Sequence, residues 1–236
     1  MKEIKILILL ASLAWSLSAI NCTADNLVQQ DAGAWVQAVG EGSLKFIDPS
    51  LEKARIWLEG QSHWDDDWYH WSQSFLRVAL GYSLTQRATI WVGYTWVPNQ
   101  SPGKPFISQQ DVWPGFRYIL PTEYGTVVFR TLLESNFIRG NDVRLHPRQM
   151  VRFAHPFDFE PRLSLVVWDE VFFRVNTTQY GGRAGYDQNR AFGGVGWTFN
   201  PNVTVELGYL NQDVDDANHI NNTMHHIISS SLFVNF

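Results

Sequence analysis

Apolar and polar residues alternate with a period of two along most of the chain beyond residue 24. Around residue 78, for example, Leu76, Val78 and Leu80 would share one face of an extended strand, and Arg77 and Ala79 the other. Because successive side chains of a strand point to opposite sides, this alternation predicts β-strands. Eleven such segments cover residues 33–42, 52–64, 70–84, 88–98, 109–120, 126–137, 144–153, 161–175, 187–199, 203–212 and 223–236.

Strand length and composition favour a membrane barrel over a soluble sandwich. Most predicted strands have about ten residues or more, which is what a tilted strand needs to cross the hydrocarbon layer, whereas strands of soluble sheets have about five or six. Aromatic residues make up 14% of the chain and charged residues only 17%, which suits a wall that faces lipid and headgroups. We therefore predict an all-β, antiparallel up-and-down transmembrane β-barrel with its apolar faces outward. In the alternative, a soluble sandwich, those faces point inward.

The connections between the predicted strands alternate between short and long. Tight turn signals at 85–87, 121–125, 155–158 and 200–202 alternate with longer connections at 64–70, 99–108, 138–143, 176–186 and 213–222. Outer-membrane barrels have short periplasmic turns and longer external loops, so this asymmetry predicts a periplasmic C-terminus. With both termini in the periplasm the strand number is even. We therefore expect about 12 strands, one of them missed by the pattern, or about 10 if the first segment lies inside the barrel.

The first 24 residues have the pattern of a signal peptide. Lys2 and Lys5 give a basic start, and residues 6–15 form an apolar run that is too short to span a bilayer. Small residues favour cleavage before Asp25, with cleavage after Ala19 as the alternative. We therefore predict a signal peptide over 1–24 and an exported barrel over 25–236.

Cysteine and charge exclude several kinds of chemistry. Cys22 is the only cysteine, and a lipid anchor on it is disfavoured because Asn21 occupies a position where a lipoprotein signal needs a small residue. Cleavage before Asp25 leaves a mature chain without a thiol or a disulfide. The formal net charge of the whole chain is −5, and no segment resembles a basic face that could neutralise phosphates, so no nucleic-acid partner is expected.

The last predicted strand alternates to its final residue, Phe236. A terminal aromatic residue on such a strand is typical of the signal by which bacteria assemble outer-membrane barrels, whose last strand must pair and leave no edge in lipid. We therefore expect Phe236 to act as an assembly signal. The expected partners are the barrel-assembly machinery, through the C-terminal strand, and outer-membrane lipids with lipopolysaccharide; the expected location is the bacterial outer membrane.

The polar faces of the predicted strands would enclose a lumen. Hairpin geometry places Glu170 opposite Arg144 and diagonal to Arg190, and it places Glu134 near Arg148 or His146. In a narrow barrel each buried charge needs a partner. The predicted belt of lumen charges comprises Asp111, Arg130, Glu134, Arg144, His146, Arg148, Arg152, Glu170 and Arg190, with Arg162 and Arg174 also facing inward. A belt that fills and braces the lumen is favoured over one that conducts solutes.

Several motifs in the second half of the chain resemble a known family. They are Trp168-Asp169-Glu170-Val171-Phe172, Gln188-Asn189-Arg190 followed by Gly193-Gly194, Glu206-Leu207-Gly208-Tyr209, and the closing Phe236. In this order and spacing they are similar to the bacterial outer-membrane β-barrel proteins catalogued as domain of unknown function 2490. The resemblance covers most of the mature chain and implies a membrane barrel, and the family brings no established activity.

Two classes of function follow from these observations. The first is a barrel without catalysis, acting as a narrow pore, a solute-uptake protein or a plugged structural barrel. The alternative is an outer-leaflet lipid-modifying enzyme of the lipid A deacylase or acyltransferase type, for which His70 and Ser72, near the acidic run 65–67, are the catalytic candidates. The aromatic residues around them are better explained as a membrane-interface girdle, so the sequence favours the barrel without catalysis.

Acidic residues in two predicted external loops suggest a divalent-ion site. They are the run 65–67 and the group Asp213, Asp215, Asp216 and His219. Oxygen ligands suit hard cations, but this spacing does not match a known calcium loop. Solvated loops are the favoured interpretation, and neither a metal nor another cofactor is expected.

Overall fold

A computed structural model describes residues 28–100, 105–215 and 222–236; the predicted signal peptide and its cleavage positions lie outside the described residues. The strands are β1 (Val28–Ser43), β2 (Ala54–Asp65), β3 (His70–Ser83), β4 (Ala88–Asn99), β5 (Ile107–Thr122), β6 (Gly125–Ile138), β7 (Arg144–Phe157), β8 (Glu160–Arg174), β9 (Gly185–Asn200), β10 (Val203–Asp215) and β11 (Asn222–Asn235). Two 3-10 helices, Leu44–Phe46 and Pro49–Leu51, join β1 to β2. None of the helices among the described residues is long and apolar enough to cross a membrane.

The eleven strands close into a barrel in which each strand pairs with its neighbours in sequence. All of these pairs are antiparallel, as predicted, but the closing pair of β1 and β11 is parallel, with Val36 beside Ser230 and Ala38 beside Leu232. The expectation of 12 strands, or 10 with the first segment inside the lumen, is therefore wrong. The even number followed from requiring an antiparallel closure with both termini at one end. In an odd, alternating barrel the first and last strands run in the same direction and close in parallel, as the 19-stranded mitochondrial channel also must.

The connections differ in length between the two ends of the barrel. Residues 84–87, 123–124, 158–159 and 201–202 form short turns at one end, which we call the short-turn end. Residues 66–69, 139–143 and 175–184, together with the ends of the strands that precede and follow the connections after β4 and β10, lie at the other, the long-loop end. This is the predicted alternation. The exception is the connection 44–53, which carries the 3-10 helices at the short-turn end. There Asp48 accepts a hydrogen bond from the Ser50 N–H at 2.7 Å, and hydrogen bonds from Ser50 lower the pKa of this exposed carboxyl.

Phe236 extends the parallel seam between β1 and β11 at the short-turn end. Its N–H donates to the Glu41 carbonyl at 3.0 Å, and its own carbonyl accepts from the Ser43 N–H at 3.1 Å. Gly42 is needed here because a Cβ at this position would collide with the Phe236 carbonyl. The Phe46 ring packs edge-on against the Phe236 ring at 5.9 Å. The role of Phe236 as an assembly signal stays a prediction.

The outer face of the wall is apolar and the interior carries the charges. Leu80 and Val92, for example, are 61% and 64% exposed, whereas Arg77 between the outward-facing Leu76 and Val78 is buried. This is the polarity predicted for the barrel and the reverse of that of a sandwich with an apolar core. Inside, two apolar clusters pack in the lumen: Val39, Trp57, Ala79, Trp91, Trp113 and Leu132 in one, and Trp35, Val166, Phe192, Leu210 and Ile227 in the other.

Candidate functional site in the lumen

A network of ion pairs crosses the middle of the lumen. Arg77 of β3 binds Glu59 of β2 through Nη1 and Oε1 at 2.7 Å and approaches Glu134 of β6 at 3.6 Å. Arg148 of β7 lies with its Nε 3.5 Å from Glu134 and 3.4 Å from Glu170 of β8. All five side chains are buried. Buried charges of this kind are tolerated only when they are paired, so the network fixes the strands across the lumen relative to one another.

Two further groups of ion pairs lie nearer the short-turn end. Arg152 of β7 binds Glu206 of β10. Glu41 of β1 binds Arg55 at 2.7 Å and also binds Arg117 of β5. Since β1 and β5 are not neighbours in the wall, the pair of Glu41 and Arg117 spans the lumen.

The predicted register around Glu170 needs a correction. Glu170 lies across from Met150 and Arg190, not opposite Arg144. The turn between β7 and β8 falls at 158–159, beyond the expected position, and an irregularity between Pro156 and Phe157 shifts the ladder by three more residues. An irregularity in β8 and β9 likewise brings Arg190 directly opposite Glu170, where a diagonal position was predicted.

Other residues of the predicted charge belt occupy two levels of the lumen. Glu134 lies directly across from His146 in the β6–β7 ladder, with their side chains 3.7 Å apart. Arg130 binds Glu170 through Nη2 and Oε1 at 3.0 Å. Arg162, by contrast, binds Glu160 at the short-turn rim with its side chain 59% exposed, so it lies outside the belt.

Arg174 organises a polar layer at the long-loop end. It binds Asp215 at 2.5 Å, approaches Asp187 at 3.3 Å, and donates to the Gly181 carbonyl at 3.1 Å. Asp187 in turn binds His146 Nε2 at 2.6 Å. Gly181 belongs to the connection between β8 and β9, so Arg174 ties this loop to the lumen.

Arg144 and Asp111 belong to the same layer through an asparagine. Asn136 donates to Asp111 Oδ1 at 2.7 Å and accepts from Arg144 Nε at 2.8 Å. Gln109 donates to Asp111 at 2.9 Å. The residues predicted for the belt thus fall into several groups: Asp111, Arg144 and His146 belong to this layer, Arg130, Glu134, Arg148 and Glu170 to the central network, and Arg152 to the ion pairs nearer the short-turn end, whereas Arg190 contacts the Trp35 and Phe172 rings.

A stacked column of rings crosses the lumen between these two levels. The His63 and Trp35 rings stack at 3.7 Å with an interplanar angle of 3°. The Arg190 guanidinium lies over Trp35 at 4.8 Å and over Phe172 at 4.7 Å, and Phe172 contacts His146 at 5.4 Å. We call these five residues the aromatic column. They come from β2, β1, β9, β8 and β7, so the contacts between them run across the lumen at this depth.

A chamber of about 340 Å³ lies on the short-turn side of the aromatic column. Its lining extends from Trp35 and Arg190 to Thr204 and Asn235, which stand close to the ends of their strands. Side-chain exposure rises in the same direction, from 2% at Arg77 to 17% at Arg130 and 23% at Arg152. The chamber is therefore reached from the short-turn end.

The two candidate catalytic residues do not form a proton relay. His70 Nε2 lies 3.0 Å from the Gln100 carbonyl, and the Ser72 hydroxyl donates to the His63 carbonyl at 3.4 Å. No hydrogen bond joins His70 to Ser72 in the part of the chain that the structure describes. The geometry thus provides no activated hydroxyl at this position.

The acidic loop residues have other partners. Asp213 accepts hydrogen bonds from Tyr186 at 3.1 Å and Asn222 at 3.2 Å, while Asp216 and His219 lie outside the described residues.

A different mixed group occurs at the seam, where ligand atoms of Asp31, Asp65 and His225 lie within 4.8 Å of one another. His225 Nδ1 is 3.2 Å from Asp31 Oδ2. Sequence reasoning missed this group because only the parallel closure brings β1 and β11 together.

These features define a closed, eleven-stranded β-barrel with an apolar outer wall and a charged interior crossed by a column of aromatic rings. The chain belongs to the family described as "Protein of unknown function (DUF2490)", whose sequence profile matches residues 32–224, so the resemblance drawn from the motifs is confirmed. It is similar to an uncharacterised protein of Methylorubrum extorquens, with 29% identity over 233 residues that cover 97% of each chain. No solved structure matches the chain.

Proposed function

We propose that this protein is an integral β-barrel of the bacterial outer membrane with a sealed lumen, and that it does not act as an open porin. The observation that carries the membrane proposal is the apolar outer wall. Its exposed residues include Leu58 on β2, Val78 on β3, Val92 on β4 and Leu207 on β10. Apolar patches of this extent are rare on proteins surrounded by water, and lipid removes their cost.

The strand lengths and connections support the same location. The strands have 12 to 16 residues, enough for tilted strands to cross the hydrocarbon layer and reach both interfaces. The short-turn end would face the periplasm and the long-loop end the exterior. The chamber would then open toward the periplasm.

Two layers of packed side chains support the sealed lumen. The aromatic column crosses the middle of the barrel, and the layer around Arg174 lies on its long-loop side. The Arg174 side chain is only 2% exposed, and Asp111 and Thr178 in the same region are also buried. Lumens that conduct solutes need a continuous aqueous path, and two packed layers of side chains favour a lumen without one.

Replacing Val78 by arginine tests the membrane proposal. Val78 faces outward near the middle of β3. In liposomes, Val78→Arg should lower the free energy of unfolding by about 2–4 kcal/mol, because the guanidinium group would face hydrocarbon. The matched control is Phe199→Arg, at an exposed position near the short-turn end of β9, which should cost about 0–1 kcal/mol because interfacial depth tolerates charge.

Denaturant unfolding of the two variants, refolded into the same vesicles, measures this difference. A wild-type chain that folds and stays in solution without detergent or lipid, together with equal free energies of unfolding for Val78→Arg and wild type, would exclude the membrane barrel.

A further inference from the structure

The buried Arg190 guanidinium in the lumen makes no direct ion pair with any of the described residues. Arg190 is 8% exposed, and within the described residues its side chain forms neither a hydrogen bond nor an ion pair. Its contacts are the Trp35 and Phe172 rings of the aromatic column. Glu170, directly across the ladder, is already engaged by Arg130 and Arg148 at 3.0 and 3.4 Å.

The chamber as a whole carries more positive than negative charge. Among the described residues, its lining contains six arginines and four glutamates, an excess of two positive charges. The glutamates are Glu41, Glu59, Glu170 and Glu206, and each already binds at least one arginine. Because buried charge without a partner is unfavourable in a low-dielectric interior, an anion in the chamber would stabilise it.

Hydrogen-bond donors in the chamber lining are also unsatisfied. The indole N–H groups of Trp35 and Trp57 and the Nε–H groups of Arg130 and Arg190 are buried and have no hydrogen-bond acceptor among the described residues. Buried donors without a partner are uncommon in folded proteins. A carboxylate offers only acceptor atoms and forms its strongest hydrogen bonds with guanidinium groups, so it is complementary to this set.

Apolar rings line the remainder of the chamber. Trp168 and Phe192 stack on each other at 5.3 Å, and Leu210 and Phe233 also line the cavity. The volume of about 340 Å³ lies at the lower end of the range of small-molecule sites, about 300–1,000 Å³. A bare inorganic anion would leave these apolar surfaces without a partner.

We propose that the chamber binds a small organic carboxylate with a flat apolar body, and that Arg190 is the cation that anchors it. Binding is a property of the lumen and does not require the membrane location; that the ligand enters from the periplasm rests on the proposed function.

Calorimetry on the full chain in amphipol tests the proposal with three probes and empty amphipol as the blank. The first probe, 2-naphthoate, has both the charge and the flat apolar body. The second, 2-naphthamide, keeps the shape without the charge, and inorganic phosphate keeps a charge without the apolar body. One naphthoate should bind per barrel, and each of the other two probes should bind at least about ten-fold more weakly.

Variants of Arg190 identify the anchoring cation. Arg190→Met should remove the preference for naphthoate over naphthamide, and Arg190→Lys should retain part of it because the charge remains. Arg162→Met, which removes an exposed arginine outside the chamber, should bind naphthoate as the wild type does.

Three results would overturn the proposal: equal binding of naphthoate and naphthamide by wild type, undiminished preference in Arg190→Met, or no stoichiometric naphthoate binding to a barrel that circular dichroism shows to be folded. Phosphate binding as tight as that of naphthoate would contradict the apolar part of the ligand. If Arg190→Met does not fold, the proposal is still tested by the comparison of the three probes in the wild type and by the Arg190→Lys variant. These binding measurements use the purified chain and do not depend on where it is located in the cell. A negative result would therefore contradict the ligand proposal and leave the membrane proposal, which Val78→Arg tests, unaffected.

Discussion

Arg77 contacts charged, polar and aromatic groups from several strands of the lumen. It binds Glu59 at 2.7 Å, approaches Glu134 at 3.6 Å and donates from Nε to the Thr95 hydroxyl at 3.0 Å. Its guanidinium also lies over the Trp113 ring at 5.6 Å. One side chain therefore satisfies groups from β2, β4, β5 and β6, so its removal leaves several buried partners at once.

Replacing Arg77 by methionine should lower the free energy of unfolding by about 3–5 kcal/mol, because Glu59 would remain buried without its counterion. The double variant Arg77→Met/Glu59→Gln should recover part of this loss, since the unpaired carboxylate is then removed as well. Denaturant unfolding in one lipid or detergent system measures both. Additive effects of the two substitutions, with no recovery in the double variant, would show that the ion pair is not the source of the stability.

At the scale of elements, the strands follow from the sequence, but the closure does not. The alternation around Leu76, Val78 and Leu80 predicts strand and outer face together, because a period of two leaves little choice once one face is apolar. The same alternation identifies the charged side chains that face the lumen. Their partners depend on register, and irregularities such as that between Pro156 and Phe157 shift pairs without leaving a sign in the alternation. The parallel seam depends on a long-range pairing that no local pattern encodes.

Engineered disulfides test the parallel seam between β1 and β11. In a Cys22→Ser background, Val36→Cys paired with Ser230→Cys should oxidise readily, because these residues are partners in the parallel register. The control pairs Val36→Cys with Val234→Cys, which are four residues apart along the seam, about 13 Å, and beyond the reach of a disulfide. An antiparallel closure that kept Ala38 beside Leu232 would reverse the two results. Mass spectrometry of peptides from the folded, oxidised chain measures both cross-links.

At the scale of the whole molecule, packing inside the barrel decides what the fold can do. The alternation along the strands predicts that Arg190 and Glu170 face the lumen. It does not predict that Glu170 binds Arg130 and Arg148, or that Arg190 stacks on Trp35. Those contacts depend on which side chains reach across the lumen, and this is fixed only when the barrel closes. The packing of the interior and the excess of arginines in the chamber are therefore properties of the closed barrel rather than of any strand.

Because the number of strands is odd, the N-terminal end of β1 and the C-terminal end of β11 lie at opposite rims of the barrel. Because β1 is parallel to β11, Gln29 lies at the long-loop end with Asp142, while Phe236 lies at the short-turn end with Arg87. If the short-turn end faces the periplasm, a membrane-impermeant maleimide should label Gln29→Cys and Asp142→Cys on intact cells in the Cys22→Ser background. Arg87→Cys should react only after the outer membrane is permeabilised. A twelve-stranded barrel with both termini in the periplasm predicts instead that Gln29→Cys is protected together with Arg87→Cys, so the behaviour of this one position distinguishes the parallel closure from an even-numbered barrel in living cells.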